Sequence, residues 1–226
     1  MSRRLRDDAL IDDLNVLIAR LQRDLPQGSA LIADGKPLPV SKFSSDPDRG
    51  EGWGAGRHQF GYKLHAIIDS MQRLIAWALR PMNEAECTTT TELMASINPH
   101  EVNGKVLYAD ASYDSNPLHV QCEHAGVRLV APRRRPGTKP CKNREGSPNR
   151  LASIDAFERG TDPEIVAQHR RVRPVVERSF GTLVTWGGGL FALPAWARRH
   201  HRVNARFAAK LAINAARNDH VKTTPQ

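Results

Sequence analysis

Residues 60–69, FGYKLHAIID, and 73–80, RLIAWALR, are apolar runs joined only by the few residues around Asp69 to Gln72. So short a connection cannot return the chain to a parallel neighbour, and the two runs must form an antiparallel hairpin. A third run, ALIAD, comes before them and ends at Asp34. Two more follow: VLYAD, ending at Asp110, and VRLVAP, leading into Arg133, Arg134 and Arg135. Helix-permissive stretches at 84–97 and 115–125 separate the later runs. The order predicts an α/β fold whose mixed sheet begins as a three-strand antiparallel meander and continues as βα units, with helices on its flanks.

At 226 residues the chain has room for one main domain, 29–217. In front of it, within 1–28, Leu10, Leu14, Leu17, Ile18, Leu21 and Leu25 recur at helical spacing. They predict an amphipathic packing helix, since five Arg balance five Asp over residues 1–25. DGKP after Asp34 reads as a turn. The stretch 41–57, with Gly50, Gly52, Gly54 and Gly56, reads as a mobile loop that fits no phosphate-cradling motif. Residues 136–162, rich in Pro, Gly, Asn and charge, predict a long loop within an insertion at about 133–167. Helices are expected at 175–183 and 198–217, and a disordered tail at 218–226.

The formal charge of +9 is unevenly spread. Residues 128–150 hold eight basic side chains against Glu145, residues 198–217 hold six and no acid, and the remainder is net acidic. Arginine dominates both stretches, which suits bidentate phosphate contacts and a polyanionic partner better than a mixed-sign solubilising surface does. Cys87, Cys122 and Cys141 are too few and too widely spaced for a disulfide framework or a zinc knuckle. His119, Cys122 and His124 would not share one side of a helix, and they read as a surface helix. No apolar run reaches the length of a bilayer span, so a soluble cytoplasmic protein is expected.

Strand direction decides which acids can meet. If the strand ending at Asp34 runs up, its hairpin partner runs down to Asp69, and the strand after the 84–97 crossover runs up to Asp110. Asp34 and Asp110 then share the upper edge, where VRLVAP delivers its arginines, and Asp69 falls at the opposite edge. Ligands bind at the upper edge, the carboxyl end of the parallel strands, in open α/β sheets. A two-cation site needs a third carboxylate, and Glu177 in RVRPVVERSF stands on a helical stripe with Arg170 and Arg173. Each acid also has a structural explanation. Asp34 could serve a turn, Asp110 or Asp114 a helix cap, and Glu177 an ion pair with Arg173.

Together, LIADGKPLPV, FGYKLHAIID, RPMNEAE, LYADASYDS and RPVVERSFGTL resemble, in order over about 29–217, the DDE transposases of bacterial insertion sequences. The resemblance implies a ribonuclease H-like catalytic domain with Asp34, Asp110 and Glu177 as the catalytic, metal-binding triad. In the similar branch the late helix carries Tyr and Lys where this chain has Arg170 and Val184, and an acid often found after the RPMNEAE-like block is here Cys87.

The implied chemistry is cleavage at element ends and strand transfer to target DNA with two Mg²⁺ or Mn²⁺ ions, whose preference for hard oxygen ligands suits carboxylates. Lys63, Arg133, Arg134, Arg135, Arg170 and Arg173 are the expected DNA contacts. The implied partners are double-stranded DNA and further copies of the chain, since two element ends must be joined, and no membrane. The nucleoid is the implied location. Two rivals predict different behaviour: an inactive relic that only binds DNA, and a basic RNA-associated protein, which leaves the three acids without a role.

Overall fold

The computed structural model describes residues 8–54, 56–134, 146–185 and 199–223. Its centre is one mixed sheet of six strands, β1 (Ala30–Pro39), β2 (Gly50–Gly54), β3 (Arg57–Asp69), β4 (Leu74–Pro81), β5 (Val106–Tyr108) and β6 (Arg128–Val130). The spatial order is β2-β3-β1-β5-β6, and β4 also pairs with β3. β1, β3 and β4 are antiparallel neighbours, while β5 and β6 run parallel to β1. The meander and the βα units are thus as the sequence predicts.

Period-two alternation sends successive side chains to two cores. Ile32, Leu64, Ala66 and Ile68 face one side, against α1 (Asp8–Leu21), α7 (Pro174–Thr185) and α8 (His200–Thr223), through Ile18, Val176, Phe180 and Phe207. Leu31, Ala33 and Ile67 face the other, against α2 (Glu86–Ser96) and α4 (Asn116–His124), through Leu93, Met94, Leu118 and Cys122. A short helix, α3 (Pro99–Val102), leads into β5. The remaining helices, α5 (Pro148–Arg159) and α6 (Pro163–Val172), pack near the exit of β6 and lead into α7.

Several expectations are corrected. DGKP is no turn: β1 continues through it, because β3 supplies partners from Asp69 up to Gly61. The glycine-rich stretch is in part β2, paired with β3. A Cβ on Gly52 would stand 2.5 Å from the Met82 carbonyl oxygen, so glycine lets this strand lie close against the chain leaving β4. The predicted long loop at 136–162 contains α5, capped by the Ser147 side chain and closed by Gly160 in the left-handed region at φ 68. His119 and Cys122 are buried in the α4 core and are not on a surface helix. α8 runs on to Thr223, through residues expected as a disordered tail, while Arg135 lies outside the described residues.

Candidate active site

The register of the parallel strands builds the site. Ile32 of β1 stands opposite Tyr108 of β5, and beyond that pair the two strands part. Asp34 lies two residues past Ile32 and Asp110 two residues past Tyr108, so both acids stand at the same level. Asp34 is still within β1, opposite Ala66 of β3, and its side chain projects towards the α7 face. Asp110 has left its strand and caps a single 3-10 turn, Ala111–Tyr113, accepting from the Ser112 amide at 2.8 Å. The structural reading of Asp110 as a cap therefore holds alongside its place at the edge.

Arg173 joins the two acids. It lies where α6 passes into α7, and its own backbone is helical at φ −50 and ψ −43. One guanidinium nitrogen is 3.7 Å from Asp34 Oδ2, the other is 3.8 Å from Asp110 Oδ2, and the first also donates to the Ala33 carbonyl at 3.3 Å. α6 is held beside the edge by His169, whose Nε2 lies 2.8 Å from the Ala109 carbonyl oxygen and whose ring meets Phe157 edge-on at 5.0 Å. Burial lowers the pKa of His169, a neutral ring filling that corner at ordinary pH. Asp114 serves as an anchor: it takes a two-pronged contact from Arg150 of α5, at 2.7 and 3.2 Å.

A third acid reaches this edge that the sequence reading passed over. Glu86 opens α2 on the opposite face of the sheet, and its Oε1 lies 2.9 Å from Lys63 Nζ. Its Oε2 accepts from the Ser112 hydroxyl. The resemblance placed Cys87 where an acid is often found, yet the neighbouring residue brings the carboxylate to the site. Gly35 makes room for it, since a Cβ there would stand 2.8 Å from Glu86 Oε1. The signal available in the sequence was Glu86 closing the block RPMNEAE and opening a helix, with Gly35 after Asp34.

Lys63 was expected on phosphate, but only 8% of it is exposed and its ammonium faces Glu86. Arg133 is engaged with Glu158 at 3.6 Å, and Arg134 and Arg170 are exposed. Glu177 lies exposed on α7, one helical turn beyond Arg173. The arginine turns to the two aspartates and makes no ion pair with it. Among the described residues no group of three or more His, Cys, Asp or Glu side chains is arranged to hold a metal.

The electrostatics favour a cation. Burial raises the Asp34 pKa from 3.8 to about 6; Arg173 and the Gly35 N–H lower it, and Asp110 and Glu86 raise it further. Asp34, Asp110 and Glu86 bring three carboxylates against the cations of Arg173 and Lys63. The surplus acid and the hard oxygen donors suit a divalent ion such as Mg²⁺.

The family model described as "Transposase DDE domain" matches residues 25–212. The chain belongs to this family. Two solved structures to which it is similar are the Mos1 transposase paired-end complex with left transposon end and the catalytic domain of Mos1 mariner transposase. The first is 13% identical, covering 79% of this chain and 61% of that one at a TM-score of 0.30. The second is 10% identical, covering 100% of this chain and 97% of that one at a TM-score of 0.30. The chain thus spans less than two thirds of the first. No curated protein matches it.

Proposed function

We propose that this member of the transposase DDE domain family is a bacterial insertion-sequence transposase that cuts double-stranded DNA at element ends and joins those ends to target DNA. The observation that carries the reading is that Asp34 and Asp110, at one level on parallel strands, share a single cationic partner. Asp34, Asp110 and Glu177 are the proposed ligands of two Mg²⁺ or Mn²⁺ ions. When bound, such ions stabilise charge on the attacking and leaving oxygens of a phosphodiester displacement. Asp34 and Asp110 present their carboxylates from a rigid strand edge, and Arg173 holds them together until substrate and ions take over its charge. Arg133, Arg134, Arg135, Arg170 and Arg173 are the proposed phosphate contacts, Lys63 acting behind them on Glu86. Water attacks the phosphorus at the element end and releases the 3′-oxygen as a hydroxyl; that 3′-hydroxyl then attacks a target phosphorus, and the target strand's own 3′-oxygen leaves as a hydroxyl. Juxtaposing two ends calls for self-association. No described helix is long and apolar enough to cross a membrane. The proposed place of action is the nucleoid.

A second reading, a relic that binds DNA without cutting it, is favoured by one observation: Arg173 already stands as counter-ion between the two aspartates, with Glu177 exposed on α7. Nicking of supercoiled plasmid with Mg²⁺ or Mn²⁺ separates the two. Activity in the wild type that is lost in both Asp110→Ala and Glu177→Gln supports the transposase. DNA binding with no metal-dependent nicking by the wild type leaves the relic.

A further inference from the structure

The two oxygens of Asp110 are in different surroundings. Oδ1 accepts from the Ser112 amide at 2.8 Å and lies 2.5 Å from the Ser112 hydroxyl, while Oδ2 faces Arg173. The same hydroxyl is hydrogen-bonded to Glu86 Oε2, so Glu86 and Asp110 are connected through one serine. Glu86 is itself fixed from behind by Lys63, with both side chains largely buried, at 18% and 10% exposure. Lys63 belongs to β3 and Glu86 to α2, on the face of the sheet opposite Arg173. The arrangement ties both faces of the sheet to one carboxylate. A buried ion pair contributes little to stability by itself. Its bond to Ser112, together with the missing side chain at Gly35, gives this pair a place in the site.

We propose that Glu86 is a positioning residue for Asp110. Glu86 accepts the one proton of the Ser112 hydroxyl and so fixes the residue whose amide donates to Oδ1; this leaves Oδ2 turned towards Arg173, and Lys63 is the counter-ion of Glu86. Partners of metal-binding carboxylates fix ligand orientation in this way, and losing one typically weakens metal affinity by about 10- to 100-fold. The inference rests on the reading of Asp34 and Asp110 as cation ligands.

The test is Mn²⁺ binding to the full chain, followed by electron paramagnetic resonance, in Asp110→Ala, Glu86→Ala, Ser112→Ala and the Glu86→Ala, Ser112→Ala double variant. Asp110→Ala should abolish binding. Glu86→Ala and Ser112→Ala should each weaken it by about 10- to 100-fold, and the double variant should be no worse than the weaker single, because both substitutions cut one connection. If Glu86→Ala does not fold, having stranded Lys63, Ser112→Ala decides alone, since it removes the link and keeps every charge. Wild-type affinity in Ser112→Ala, or additive losses in the double variant, would overturn the proposal. A wild type that binds no Mn²⁺, or an Asp110→Ala protein that binds as the wild type does, removes the functional reading and this inference with it.

Discussion

Asp34 is held in a state that the metal-free protein pays for in stability. Its pKa is raised to about 6 in the folded chain, chiefly by burial, against 3.8 as the ordinary value. A proton is therefore bound more tightly by the folded state. The stabilisation is fully present below pH 3.8 and is lost as the pH rises through 6. Without divalent ions, Asp34→Asn should be more stable than the wild type at pH 8, on the order of 1–3 kcal/mol, with the difference shrinking towards pH 5. Urea unfolding at the two pH values measures it, and a wild type that loses ground to Asp34→Asn as the pH falls from 8 to 5 would contradict the assignment. Arg173→Ala should cost roughly 1–3 kcal/mol in metal-free protein, with Mg²⁺ restoring part of the loss in a thermal melt. At this scale the sequence was informative about Asp34 and Asp110, because two apolar runs of equal direction carry them. It was less so for Glu86 and Lys63, whose meeting depends on how closely α2 approaches Gly35, a distance that no local pattern encodes.

Among the elements, those carried by apolar periodicity were legible, and those carried by their neighbours were not. The β3–β4 hairpin follows from its short connection, and Asp69 sits at the far edge as predicted. There it accepts from the amides of Gly28, Met71 and Arg73, a turn-building role. β2 was hidden because its glycines are selected by close backbone approach and not by strand propensity. α5 was hidden because its main anchors are polar: the Asp114 to Arg150 contact, and Ser153, whose hydroxyl donates to the Ala131 carbonyl at 2.9 Å and accepts from its amide at 3.1 Å. Ser153→Ala would leave both backbone groups buried and unpaired there. It should destabilise the protein by about 1–3 kcal/mol and speed hydrogen exchange in α5 and at the end of β6 before the central strands. Equal protection in the two proteins would count against α5 as a clamp on that strand.

For the whole molecule, the charge pattern was legible in sign but not in placement. The 198–217 stretch, which looked like a basic surface, is mostly a core helix. Val203, Phe207, Ala208 and Leu211 of α8 are buried, and so is Lys210, whose pKa burial and Arg206 lower. Of the proposed phosphate contacts, Arg134 and Arg170 are exposed and Arg173 lies between the two aspartates. DNA affinity should fall by about 10- to 100-fold between roughly 50 and 200 mM salt, and a charge-removing change at Arg170 should flatten that dependence. Fluorescence anisotropy at several salt concentrations measures both, and a salt-independent affinity would remove the electrostatic interface.

Asp34 and Asp110 are the proposed cation-binding pair, with Arg173 standing between them in the ion's place. Crystals of the full chain soaked in Mn²⁺ test it most directly. Anomalous density within coordination distance of both carboxylates, with Arg173 drawn away from them, is the predicted result. Density elsewhere, or none while Arg173 stays between the two aspartates, would contradict it.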